Sequence, residues 1–126
     1  MRLVVAVGMI VMGLGIAGLW TRDVIAGDKV DLSRGVLRAR EEDDSLLWPH
    51  WLAEYGTALV LVIGGLGLIA RADWSVAAAA GGLGALLYTS VNSLGWALAK
   101  PERSAYAIPM TAGAIVGVLG LTWLIA

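Results

Sequence analysis

The chain contains no cysteine and no phenylalanine, a single histidine and only three prolines. Without cysteine there is no disulfide, no thiolate metal site and no cysteine nucleophile, and the redox state of the compartment leaves no mark. With one histidine, a metal site would have to be built largely from carboxylates. The paired Glu-x-x-His motifs of di-iron bundles are absent, so neither a metal nor another cofactor is expected. Charge is scarce too. Nine Lys and Arg against ten Asp and Glu make 15% of the 126 residues and a net charge of −1, where a typical soluble domain has about 25% charged residues. No basic face for nucleic acid follows from that balance.

What the chain has in quantity is apolar side chain, 59% of all residues, with a mean hydropathy of +0.79. So little polar surface cannot coat a water-soluble globule, which excludes a soluble enzyme. Intrinsic disorder, which needs low hydrophobicity and high charge, is excluded with it. A small integral membrane protein remains.

The charges are segregated. Residues 3–21, 74–99 and 104–126 carry none and residues 45–70 carry one, Glu54. An α-helix rising about 1.5 Å per residue needs roughly 20 residues to cross the hydrocarbon layer, and these blocks lack the alternation of barrel strands. The expected fold is an all-α bundle of four transmembrane helices in one domain, with spans at about 3–21, 48–70, 74–99 and 105–126. Trp20, Trp48, Trp51, Trp74, Trp96 and Trp123 lie near block ends, where an indole suits the headgroup level. The first block exceeds the apolar core of a signal peptide and no small-x-small cleavage site follows it, so it is expected to be a retained span. No soluble domain is expected at either end.

The extramembrane segment at about 22–45 places Leu32, Val36 and Ala39 at helical spacing, with Arg34, Arg38 and Glu41 on another side. A short amphipathic helix lying on the membrane surface fits this pattern, and a charged surface loop fits it equally. Seven Lys and Arg fall in the first and third loops against two, Arg2 and Arg71, on the other side. That asymmetry puts those loops in the cytoplasm and both termini outside. A bacterial or archaeal cell membrane is the expected location.

Membrane helices associate through small residues and interhelical hydrogen bonds, so such residues are expected to face inward. The candidate interior stripes are Gly8, Met12, Gly15 and Leu19 in the first span and His50, Glu54, Thr57, Leu61, Gly64 and Leu68 in the second. In the third they are Ala77, Gly81, Gly84, Tyr88, Asn92, Gly95 and Ala99, and in the fourth Tyr106, Met110, Gly113, Gly117, Gly120 and Leu124. Gly64, Gly81, Gly84, Gly113 and Gly117 are the expected packing glycines. Fifteen of the 17 glycines lie in spans, which argues for tight packing within one bundle or between protomers of a homo-oligomer.

The polar candidates gather toward one half of the membrane: His50, Glu54, Tyr55, Thr57, Tyr88, Asn92, Ser93, Arg103 and Tyr106. His50 and Glu54, spaced i,i+4, share a helical face and suit a proton relay or an acid–base pair; the plainer reading is a polar anchor near the headgroups. The run Tyr88–Ser93 suits a ligand head, an ion, or interhelical hydrogen bonding. A Gly-x-Gly-x-x-Gly match at 13–18 lies inside a span with no strand before it, so helix packing explains it and nucleotide binding does not.

The expected function is binding of a lipid or small amphipathic ligand, or service as a docking subunit in a membrane complex. One alternative is a small oligomeric transporter or channel with Glu54 as the coupling carboxylate. Another is a membrane enzyme acting on a hydrophobic substrate with His50 and Glu54 as acid and base.

Overall fold

A computed structural model describes residues 1–25, 47–99 and 101–126, apart from the side chains of residues 23, 24, 47, 48, 102 and 103. The expected surface helix falls almost wholly outside the described residues, as does the side chain of Arg103. All regular structure among the described residues is helical: α1 (Arg2–Ile25), α2 (Leu47–Ala70), α3 (Ser75–Leu98) and, after a 3-10 segment (Pro101–Tyr106), α4 (Ala107–Ile125). Among the described residues three stretches are long and apolar enough to cross a membrane: Arg2–Arg22, Pro49–Ala70 and Ser104–Ile125. Helix α3 has the length, 24 residues, but is not among them, its apolar run being diluted by glycines and by the polar run after Leu87.

The helices pack in series, α1 on α2, α2 on α3 and α3 on α4, while α1 and α4 barely touch. Glycine sets the closeness of each packed pair. A Cβ on Gly13 would lie 2.7 Å from the Ala58 carbonyl oxygen, and one on Gly65 2.7 Å from that of Ala6, so α1 and α2 meet backbone to backbone. Gly82 holds Leu61 of α2 against α3, Gly64 sits between Met9 and Ala79, and Gly113 and Gly117 seat α4 on Ser90 and Leu87. The core between these contacts is Ala6, Met9, Leu61, Leu68, Ala79, Leu83 and Leu86.

In α2 and α4 the buried faces are those expected. In α3 they are not. Ala77, Gly81, Tyr88, Asn92, Gly95 and Ala99 lie on the exposed face, and a Cβ on Gly81 or Gly84 would meet nothing within 4 Å. The buried face carries Ser75, Ala79, Gly82, Leu83, Leu86, Thr89, Ser90, Ser93 and Ala97. Both faces of α3 hold small and polar residues, but only this one also holds Leu83 and Leu86, the volume a core requires. In α1 the buried line is Ala6, Met9, Gly13 and Trp20, one position from the expected stripe, and Gly15 is exposed.

The α2–α3 turn closes on Arg71, whose φ of 57° is the left-handed conformation. The Ala72 amide donates to the Gly67 carbonyl at 3.1 Å and the Arg71 amide to that of Leu68 at 3.4 Å, the pattern of a Schellman helix stop. From α1, the Arg2 guanidinium donates to the Leu68 carbonyl at 2.9 Å and to the Ser75 hydroxyl at 3.2 Å. These bonds pin the start of α1 to this turn.

Candidate functional site: a buried carboxyl in an open cleft

At the opposite end of the bundle from that turn, Glu54 is 2% exposed. Helical spacing puts His50 one turn before it on α2, and α3 brings Ser93 against both. The Ser93 hydroxyl donates to Glu54 Oε1 at 2.6 Å and lies 3.3 Å from His50 Nε2. The same Nε2 stands 3.7 Å from Glu54 Oε1, too far for a hydrogen bond. This differs from a nucleophile triad, in which the histidine stands between serine and carboxylate and uses a different ring nitrogen for each. Here Ser93 stands between histidine and carboxyl, an order suited to moving or holding a proton.

Aromatic rings close this end. Trp20 is wholly buried, edge-on to His50 with centroids 5.0 Å apart and stacked on Tyr106 at 6.3 Å. Trp96 meets Trp20, His50 and Tyr106 at 6.0, 6.2 and 5.6 Å. The Trp20 indole N–H lies near the Glu54 carboxyl without reaching hydrogen-bond geometry, so this buried donor has no partner. The Trp51 N–H is unpartnered too.

Because α1 and α4 scarcely touch, a cleft runs between them with α3 as its floor. Its first cavity, about 350 Å³, is walled by Met12, Gly15 and Ile16 of α1 and by Pro109, Met110 and Gly113 of α4. Glu54 and Ser90 are its polar side chains. A second cavity of about 460 Å³ follows toward the other end of the bundle, between Val4, Val5 and Gly8 and Val116, Leu119 and Trp123. The cleft is therefore apolar along most of its length, with one carboxyl and one hydroxyl at one end.

Residues 1–125 match the family model described as Domain of unknown function (DUF8058). The chain belongs to this family. No curated protein and no solved structure matches it.

Of the polar residues expected at the site, this family member brings together His50, Glu54 and Ser93, with Thr57 buried one turn beyond and Tyr106 in the aromatic group. Tyr55 lies beside them and its hydroxyl pairs with that of Thr21 at 2.9 Å. Tyr88, 72% exposed, and Asn92 are on the far face of α3, away from the cleft. Trp20, Ser90 and Trp96 belong to the site and were not among the expected site residues. The signal for Trp20 was its spacing from Ala6, Met9 and Gly13, which marks one helical face. That for Ser90 was its place one turn before Ser93. Among the described residues no cluster of His, Asp and Glu could hold a metal ion.

Proposed function

We propose that this protein is a four-span membrane protein that binds an amphipathic ligand in the cleft between α1 and α4, its polar head at Glu54. The observation that carries this reading is the buried Glu54 carboxyl at one end of a cavity of about 350 Å³ whose walls, Ser90 aside, are otherwise apolar. Ionisable residues within membrane helices are expensive and mark functional sites, and apolar cavities with a few convergent polar groups are the usual form of ligand sites. The sparse contact between α1 and α4 supports entry from the lipid. Four spans, with α3 crossing by virtue of its packing between α2 and α4, fit the antiparallel order of the helices and leave both loop-side segments with most of the Lys and Arg in the cytoplasm.

Native mass spectrometry of protein released from lipid nanodiscs tests this. Wild type is expected to carry one small molecule per chain. Gly15→Leu, which fills the cavity from a position with nothing within 4 Å, is expected to lose it while unfolding normally. A second polypeptide in place of a small molecule, or no bound mass at all, overturns the reading.

A further inference from the structure

Four features of the cleft bear on what head group Glu54 receives. First, Oε1 already accepts the Ser93 hydrogen bond, whereas Oε2 accepts none among the described residues. Second, the groups facing the carboxyl are His50 from α2, Ser93 from α3 and the Trp20 indole from α1, while α4 brings only apolar Pro109, Met110, Ala112 and Gly113 to the cavity. Third, among the described residues His50 is the one basic side chain within 4.0 Å of it. Arg2 is engaged at the other end of the bundle. Fourth, the walls are apolar along both cavities, which follow α1 from Leu19 to Met1, a distance of about 27 Å at 1.5 Å per residue.

Once ionised, a single acidic group without a matching cation, in surroundings of low dielectric, holds a positive charge far more strongly than it would in water and repels a negative one. A neutral hydroxyl would gain only one hydrogen bond from it. Two apolar cavities in line between α1 and α4 favour in addition an extended chain.

We propose that the cleft takes a lipophilic cation, an alkylammonium-type amphiphile, in exchange for a proton on the Glu54 carboxyl. This rests on the ligand-binding reading above and names its ligand class. The proposed exchange starts from a protonated carboxyl, with the Ser93 hydroxyl turned from the Oε1 contact seen in the structure so that it donates to His50 Nε2, 3.3 Å away, and accepts from Glu54. When the ammonium group arrives at Oε2, the carboxyl O–H bond breaks. The proton passes to Ser93 Oγ as the Ser93 proton passes to Nε2, and His50 releases one proton. His50 is suited to that release, because it lies in the first turn of α2 with its side chain 12% exposed. One cation enters, one proton leaves and the carboxylate–ammonium pair is neutral.

The test uses the full chain in phosphatidylcholine nanodiscs, with empty nanodiscs as the blank, and three probes below their micellar concentrations: dodecyltrimethylammonium, dodecanol and dodecyl sulfate. The ammonium probe is expected to bind saturably, at least tenfold more tightly than dodecanol, and to release one proton per molecule bound into weakly buffered solution. Dodecyl sulfate is expected not to bind. Glu54→Gln is expected to lose the tenfold preference and the proton release while keeping dodecanol binding. His50→Gln, which leaves the carboxyl in place, is expected to keep the preference and slow the release. Equal binding of ammonium and alcohol, or wild-type binding without proton release, overturns the cation proposal and leaves amphiphile binding standing. Failure of all three probes to bind overturns both.

Discussion

The hydroxyl of Ser93 and the carboxyl of Glu54 meet at 2.6 Å across the α2–α3 interface, the one fully buried side-chain hydrogen bond between helices among the described residues. In a membrane such a bond contributes roughly 0.6 kcal/mol on average and up to about 1.7. Ser93→Ala and Glu54→Ala should each destabilise the fold, the second more because it also leaves a void. The double variant should lose less than the sum, with a coupling of about 0.6–1.7 kcal/mol. Unfolding in mixed dodecyl sulfate micelles measures all three. Strict additivity would show that the bond contributes nothing.

The packing glycines divide sharply by what their missing side chain would touch. At Gly13 and Gly65 a methyl group would press on backbone carbonyl oxygens, which cannot rotate away, whereas at Gly81 and Gly84 it would meet open space. Alanine at either of the first pair is expected to cost about 1–3 kcal/mol, the range for overpacking a close contact. Alanine at either of the second pair is expected to be neutral or to stabilise by up to about 1 kcal/mol through helix propensity. Thermal unfolding in one detergent compares the four variants directly. Loss of stability from Gly81→Ala would point to a contact on the outer face of α3, such as a second protomer.

That outer face shows what the residue pattern does and does not reveal. Helices α2 and α4 were legible because their small and polar residues share one face with the large side chains that fill the core: Glu54 with Leu61 and Leu68, Gly113 and Gly117 with Met110. Helix α3 has two rival stripes. One runs through Gly81, Gly84, Tyr88 and Asn92, the other through Gly82, Ser90 and Ser93, and a rule that sends small and polar residues inward cannot rank them. Leu83 and Leu86 settle the matter by volume, which becomes visible only when the neighbours are in place. Trp20 was obscured by a different ambiguity: a tryptophan near a span end suits the headgroup belt, yet here its ring is wholly buried edge-on to His50. The cleft itself was not legible at all. It arises from the weak α1–α4 contact, a property of how four helices are arranged and of no single segment.

At the other end of the bundle, Arg71 holds a conformation that residues with a side chain adopt at a penalty of about 1–2 kcal/mol. Glycine is the usual occupant of this place in a Schellman stop. Arg71→Gly should raise stability by about 0.5–1 kcal/mol, since glycine's greater freedom in the unfolded chain takes back part of the relief. The Arg71 side chain is exposed, so little packing is lost with it. Equilibrium unfolding reads the change. A loss of stability would show that the guanidinium contributes more than the strain costs.

The absence of cysteine makes the number of spans directly measurable, because any cysteine introduced is the only thiol. Asp73, in the α2–α3 turn, and Ser104, in the segment before α4, are both exposed. If α3 crosses the membrane they face opposite sides, and the Lys and Arg asymmetry places Asp73 outside. In intact cells Asp73→Cys should react with a membrane-impermeant maleimide, and Ser104→Cys should react only after the membrane is opened. Labelling of both from the same side would mean that α3 lies within the bundle without crossing, leaving three spans. Opposite sides with the two roles exchanged would keep four spans and reverse the orientation. In that case Glu54 and His50 would stand near the outer surface, and the proton expelled by a bound cation would leave toward the exterior.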